Sequence, residues 1–305
     1  QNDTIGLIGW NFMLDNASSN LRNAFNVFNA DPDENGGLVH PNLKKEMVDF
    51  TAYMHELYDL GILSKEFSVM KNTQAEDILI SGRAAAYGYN IWRDYDYSVK
   101  AQVSQPGAAF ETLLPMEGPN GGNTAFLAKG VYGFFHMSSK MPEDKLLRVL
   151  DYFEYACTED MTLKGYYGWE GVHFNYDENG TRVMTDVGKR EIGTGVQQPL
   201  PMIANTWAKV VCTTAPKEYN DAKLERVQSY LEVGNINPFE CIVSNTWTDN
   251  WPKVQSEYEA NFVKAVVGQM SIDEFSGYLA DLRERPEFKQ AFQEFAAAYN
   301  NVFGE

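Results

Sequence analysis

Between Tyr87 and Asp94 the chain places three aromatic rings, an amide, a guanidinium and a carboxylate within eight residues. Tyr87, Tyr89 and Trp92 offer flat apolar faces, while Asn90, Arg93 and Asp94 offer donors and acceptors. That mixture suits carbohydrate. Rings stack on the C–H face of a pyranose, and amides, carboxylates and guanidinium groups bond its hydroxyls. The wider composition leans the same way, with 17 Tyr, 18 Phe and 6 Trp in 305 residues. Tyr87 and Tyr89 share one face of an extended segment, and either ring could instead face the interior. Trp92 could equally pack a junction in the fold.

Signatures of catalysis are missing. The chain has no G-x-S-x-G elbow, no phosphate-binding G-x-x-x-x-G-K-[ST], no G-x-G-x-x-G after a strand and no H-E-x-x-H. His40, His55, His136 and His173 are scattered, without a second histidine at helical ligand spacing, so no metal or cofactor is expected. His55 falls on a helix flank, where solvation is expected. Acids are plentiful, and two of them facing each other across a cleft would make a glycoside hydrolase; nothing singles out one pair. Asp31-Pro32-Asp33-Glu34-Asn35-Gly36-Gly37 opens like a calcium loop, D-x-D-x-N-G. The twelfth position, however, is Asn42 instead of the bidentate acid such a loop needs. A hairpin turn between two short extended runs is the reading adopted.

A formal net charge of −17 argues against nucleic acid and against an anionic membrane surface. With 44% hydrophobic and 22% charged residues the chain has ample material for a core. No apolar run reaches membrane-spanning length; the longest, Val131 to Met137, has the length of a strand. Cys157, Cys212 and Cys241 are odd in number and lack CxxC spacing, which favours free thiols over a disulfide framework.

Helix and strand signals alternate, which gives an α/β class. Met47, Phe50, Thr51, Met54, Leu57 and Tyr58 follow a three–four spacing that predicts one helical face, stopped at Gly61. A second short amphipathic run (Ala75, Ile78, Leu79) and a Ser81-Gly82-Arg83 turn precede the small-residue strand from Ala84 to Tyr89. Leu146, Leu147, Leu150 and Phe153 predict an amphipathic helix over 143–157, and Asp177-Glu178-Asn179-Gly180 predicts a hairpin turn. After Pro201 the pattern predicts helices at 218–234, 254–267, 272–284 and 286–302. Trp207, Trp247 and Trp251 in this region are expected to be packing or surface residues.

Taken as a string, YMHELYDLGIL…EF…ILISGRAAAYGYNIW resembles the extracellular solute-binding proteins of family 1, the bilobed, maltose-binding-protein-like receptors of ABC importers. LLPMEGPNGG at 113–122 resembles that family's strand end, and the stretch from Met141 to Gly171 its helix pair with a "YG-x-EG" exit. VHFNYDENGTRV at 172–183 fits the following hairpin, and 261–282 the closing helices. The resemblance implies a periplasmic-binding-protein-like type II fold with two lobes and a hinge. Residues 1–95 would be the first part of the C-terminal lobe, 104–166 part of the N-terminal lobe, and 167–305 the rest of the C-terminal lobe. It also implies that a section carrying a lipoprotein signal and the first βαβ units precedes residue 1, so the N-terminal lobe is incomplete. The chain would then be a truncated form, a proteolytic fragment or a shortened gene product.

In function, the resemblance implies a non-enzymatic receptor at a Gram-positive cell surface, delivering a carbohydrate to a membrane permease. Its site would draw on Trp92, Tyr89, Asn90, Tyr87 and Arg93 at the first crossing between lobes. Trp10 and Asn11 would follow the first strand, and Trp169 and Glu170 would stand at the second crossing, where they could equally fix the hinge.

Overall fold

The computed structural model describes residues 4–9, 16–88, 91, 93–127, 135–192, 212 and 215–304. Strand β1 (Ile5–Ile8) leads to α1 (Asn16–Ala24), a 3₁₀ turn at Pro41–Leu43, α2 (Glu46–Asp59), α3 (Asn72–Ile80), β2 (Ala84–Tyr87) and α4 (Asp94–Gln102). The middle of the chain holds β3 (Phe126–Leu127), α5 (Glu143–Ala156), α6 (Glu159–Tyr167), β4 (Phe174–Tyr176), β5 (Arg182–Met184) and α7 (Asp186–Glu191). Then come α8 (Lys217–Val233), β6 (Asn235–Ile236), α9 (Asn245–Val266), α10 (Ile272–Glu284) and α11 (Pro286–Phe303).

The main core is helical. α2 buries Met47, Phe50, Thr51, Met54 and Leu57, the residues its three–four spacing selects, against α9 and α10. Gly61 ends the helix with φ near +70°, a conformation open to glycine and costly for a Cβ-bearing residue. α10 carries a complete capping box, Ser271 with Glu274, which satisfies two N–H groups at its start.

A second core lies where β1 and β2 pair in parallel, with Ile8, Leu79, Ala84 and Tyr97 drawn from β1, α3, β2 and α4. Of the three alanines on β2, Ala84 is buried in this core, Ala86 half-buried and Ala85 exposed. β3 and β6 form a second parallel pair, and β4 with β5 an antiparallel hairpin whose turn is the expected Asp177–Gly180.

Several expectations need correction. The helix expected at 254–267 begins at Asn245 and runs through Pro252. A proline normally ends a helix, but here Ser244 caps the first turn and Trp247 and Trp251 stack at 4.7 Å within the core, pinning the turns before it. Trp247 is therefore core. The turn at 31–37 exists, but no paired strands flank it; α1 and its following turns lie on one side and the 3₁₀ turn on the other. The 113–122 stretch is an irregular loop with a 3₁₀ turn at Pro119–Gly121 instead of a strand end. His55 is held by structure, its Nδ1 lying 2.9 Å from the Val266 carbonyl oxygen and its Nε2 3.6 Å from Asp59. α5 forms as expected, yet Leu147 and Leu150 on it are exposed. The run from Val131 lies largely outside the described residues. All three cysteines are free thiols. Among the described residues no helix is long and apolar enough to cross a membrane.

Candidate functional site

Strand register brings together the ends of β1 and β2, the strands that precede two of the expected clusters. β1 and β2 run parallel with Ile8 opposite Tyr87, and Gly88 N–H donates to Ile8 O at 3.0 Å. Both strands therefore end together, one leading toward Trp10 and Asn11 and the other toward Tyr89, Asn90 and Trp92. Ligands of parallel sheets gather at the carboxyl ends of strands, and this is such an end. Trp10, Asn11, Tyr89, Asn90 and Trp92 themselves lie outside the described residues.

The described members of this cluster have their polar groups engaged from behind. Tyr87 is half-buried; its hydroxyl donates to Asn72 Oδ1 at 2.7 Å, and its ring meets Tyr97 edge-on at 6.0 Å. Arg93 pairs with Glu76 at 3.1 Å, and its guanidinium stands 5.5 Å from the centre of the Tyr97 ring. Tyr97 in turn donates to Glu76 at 2.9 Å, and burial pushes its hydroxyl pKa far above the ordinary range, with the Glu76 hydrogen bond adding to it. Asp94 is held three ways. Its Oδ1 accepts from Lys223 Nζ at 2.6 Å and from Tyr95 N–H at 2.8 Å, and its Oδ2 from Thr112 Oγ1 at 3.0 Å. The geometry makes Tyr87, Arg93 and Asp94 a rigid support for the segment they bracket.

Trp169 and Glu170 sit on a separate turn between α6 and β4. Gly168 adopts φ near +76°, and a Cβ there would lie 2.5 Å from the His173 ring. His173 locks the turn, because its Nδ1 accepts from Trp169 N–H at 2.9 Å and its own N–H donates to Trp169 O at 2.8 Å. The indole projects outward, leaving Trp169 52% exposed, while Glu170 is exposed beside it. An exposed tryptophan on a braced turn is a preformed stacking surface.

A third feature escaped the sequence. Asn23, buried on α1, donates through Nδ2 to Asn123 O at 2.9 Å, Ala125 O at 3.2 Å and Asn235 Oδ1 at 2.8 Å. One amide thus ties α1 to the segment leading into β3 and to β6. Gly118 and Gly122 press against the same helix end, where an added Cβ would come within 2.0 Å and 2.1 Å of Ala24 O. The Pro- and Gly-rich composition of 113–122 was visible beforehand; that its glycines are needed for this close approach was not.

A groove of about 590 Å³ opens elsewhere, between the 31–37 turn and the ends of α10 and α11, lined by Asp33, Lys45, Glu46, Arg283 and Lys289 among others. None of the expected ligand residues lines it. Its mixed charges and lack of aromatic platforms, Phe292 apart, do not suit a sugar. Among the described residues the carboxylates with a shifted pKa, Glu191, Glu274, Glu284 and Glu294, are all shifted down by hydrogen bonds. A hydrolase needs one carboxyl pushed up, so they lend that alternative no support.

No family model matches the chain. Two curated proteins of Bacillus subtilis (strain 168) are similar to it. The polygalacturonan/rhamnogalacturonan-binding protein YtcQ is 24% identical over 305 residues, covering 99% of this chain and 60% of YtcQ. Lipoprotein LipO is 29% identical over 132 residues, 40% of this chain and 25% of LipO. Among solved structures, the alginate-binding protein AlgQ2 without calcium ion matches 98% of this chain and 64% of its own at a TM-score of 0.64 and 14% identity. An EF-hand mutant of the Streptococcus pneumoniae ABC-transporter substrate-binding protein FusA, in complex with fructo-nystose, matches at a TM-score of 0.57 and 15% identity, covering 98% of this chain and 64% of that one. These structures establish the fold, a periplasmic-binding-protein-like α/β architecture. The chain spans about three fifths of the length of YtcQ.

Proposed function

We propose that this chain, an extracellular solute-binding protein of family 1, is the substrate-binding component of an ABC importer and takes an oligosaccharide in a cleft between its lobes. The observation that carries the reading is the sequence relationship to YtcQ along 99% of the chain, since YtcQ is named for binding polysaccharide. The ligand contacts assigned are Trp92, Tyr89, Asn90, Trp10 and Asn11 at the shared strand edge, with Tyr87 and Arg93 bracing them, and Trp169 with Glu170 on the turn between α6 and β4. The rings would stack on sugar faces and the amides and acids would bond hydroxyls. Closure about a hinge would supply the affinity, because contacts from the N-terminal lobe would add to these only in the closed form.

The lobes are assigned as 1–95 and 167–305 for the C-terminal lobe and 104–166 for part of the N-terminal lobe. The parallel pairing of β3 with β6 and the Asn23 amide join residues 123–127 of the N-terminal part to the C-terminal part. Exposure of Leu147 and Leu150 on α5 supports an N-terminal lobe that further polypeptide completes. A lipoprotein among the relatives supports anchorage on the outer face of a Gram-positive membrane, next to the permease. No reaction is assigned. The curated relatives are named as a binding protein and a lipoprotein.

Thermal-shift titration with galacturonan, rhamnogalacturonan and neutral oligosaccharides tests the assignment, on this chain and on a form extended at its N-terminus. A ligand that binds only the native state raises Tm by mass action, by about 2.7 kcal/mol of added stability at a hundredfold excess over Kd. A saturable rise with one sugar class, lost in Trp92→Ala and reduced in Trp169→Ala, is expected. A rise only in the extended form places part of the cleft outside this chain. No rise with any sugar in either form rejects carbohydrate as the ligand.

A further inference from the structure

The turn at 31–37 carries oxygen ligands at the first, third and fifth positions of a calcium loop, and the structure explains how it stands without the acid at the twelfth. Asp33 turns inward. Its Oδ1 accepts the backbone N–H of Asn35 and of Gly37, each at 2.8 Å, and Asp33 N–H donates to Gly37 O at 2.7 Å. Asp177 closes the β4–β5 hairpin in the same way, accepting from Asn179 and Thr181 at 2.9 and 2.8 Å, in a turn with no metal pattern at all. At the ninth position stands Val39, packed on the main core, and at the tenth His40, stacked 3.9 Å from Trp247. The twelfth, Asn42, gives its N–H to His40 Nδ1 at 3.3 Å. Calcium takes six to eight oxygens with a bidentate carboxylate among them. Among the described residues no group of three His, Cys, Asp or Glu side chains is placed to hold a metal. The donor set does not fit the ion.

A cation is nonetheless built in. Lys44 is only 6% exposed, and its ammonium donates to both the backbone oxygen and Oδ1 of Asn29. The same Asn29 donates through Nδ2 to Asp31 Oδ2 at 2.5 Å, so the ammonium, the amide and the first acid of the turn form one chain of contacts. Burial lowers the Lys44 pKa to about 8, opposed by the carboxylates of Glu46 and Asp31. Through its backbone, Lys44 also closes the 3₁₀ turn, donating to Pro41 O at 3.3 Å. A single side chain, two residues past the loop's twelfth position, is therefore tied to Asn29, two residues before its first.

We infer that the Lys44 ammonium is the internal cation beside this turn, closing the two ends of the 31–42 stretch through Asn29, and that the region folds without calcium. A divalent ion brought to Asp31 would also meet the ammonium's like charge.

Melting temperatures in calcium chloride and in EDTA test this without any sugar present. The parent chain is expected to melt at the same temperature at about 1 mM calcium, the level at which extracellular calcium modules fill, as in EDTA. Lys44→Met, which keeps the length and loses the donors, is expected to melt lower by about 4 °C or more in both media. Lys44→Arg keeps a cation and serves if the methionine variant does not fold; its melting temperature is expected to ignore calcium. A saturable rise of the parent or of Lys44→Arg with calcium, abolished by Asp33→Asn, overturns the inference. So does an unchanged melting temperature in Lys44→Met.

Discussion

Replacing Lys223 by methionine removes the positive half of the most deeply buried ion pair among the described residues, with the two side chains 2% and 10% exposed. Lys223 lies on α8 and Asp94 opens α4, two residues after Trp92, so the pair anchors the proposed ligand segment to a distant helix. The variant keeps the stem's apolar volume and leaves the Asp94 carboxylate buried. Breaking one side of such a pair costs about 3–5 kcal/mol, because the remaining charge has lost its partner without regaining water. Asp94 retains donors from Tyr95 N–H and Thr112 Oγ1, which places the expected loss near the lower end, about 3 kcal/mol. At ~2 °C per kcal/mol for a chain of this size, Tm should fall by about 6 °C. Urea denaturation followed by circular dichroism reads the loss directly. Adding Asp94→Asn to Lys223→Met removes the stranded charge and should recover more than half of it. A loss below about 1 kcal/mol, or a double variant no more stable than the single, would refute the argument from desolvation.

His40 provides a pH test. Burial against Trp247, with the charges of Arg22 and Lys44 adding, lowers its pKa from 6.5 to about 3. Below pH 6.5 the unfolded chain takes up a proton that the folded chain refuses, so the stability present above pH 6.5 is lost as pH falls toward 3. The ceiling is about 5 kcal/mol, reduced because the residue keeps part of its surface in water. Tm of the parent should drop more between pH 7 and pH 4 than that of His40→Gln; equal drops count against the burial argument. Ser244→Ala uncaps α9, whose Trp247 N–H it accepts at 3.0 Å, and drops its bond to Glu294 at 2.7 Å. A loss of about 1–2 kcal/mol in urea denaturation is expected, and a wild-type midpoint would show that Glu294, which also accepts from Thr246, caps the helix alone.

Local order was legible in the sequence because it is written in short periods. The buried face of α2, the stop at Gly61, the turn at Gly82 and the 177–180 hairpin each follow from residues within one or two turns of one another. The chemistry of the Tyr87–Asp94 segment was legible for the same reason, since residue types alone state what a cluster can bond. Tertiary structure decided which groups are committed elsewhere. Tyr87 is engaged by Asn72, Arg93 by Glu76 and Asp94 by Lys223, pairings that leave no local signal. It also decided that the ends of β1 and β2 share an edge, that α9 runs through Pro252, and that Lys44 supplies the cation beside the 31–37 turn. Periodicity reports which face of an element is apolar; which partner that face or charge meets depends on chain closure over long separations, and only the folded packing fixes it.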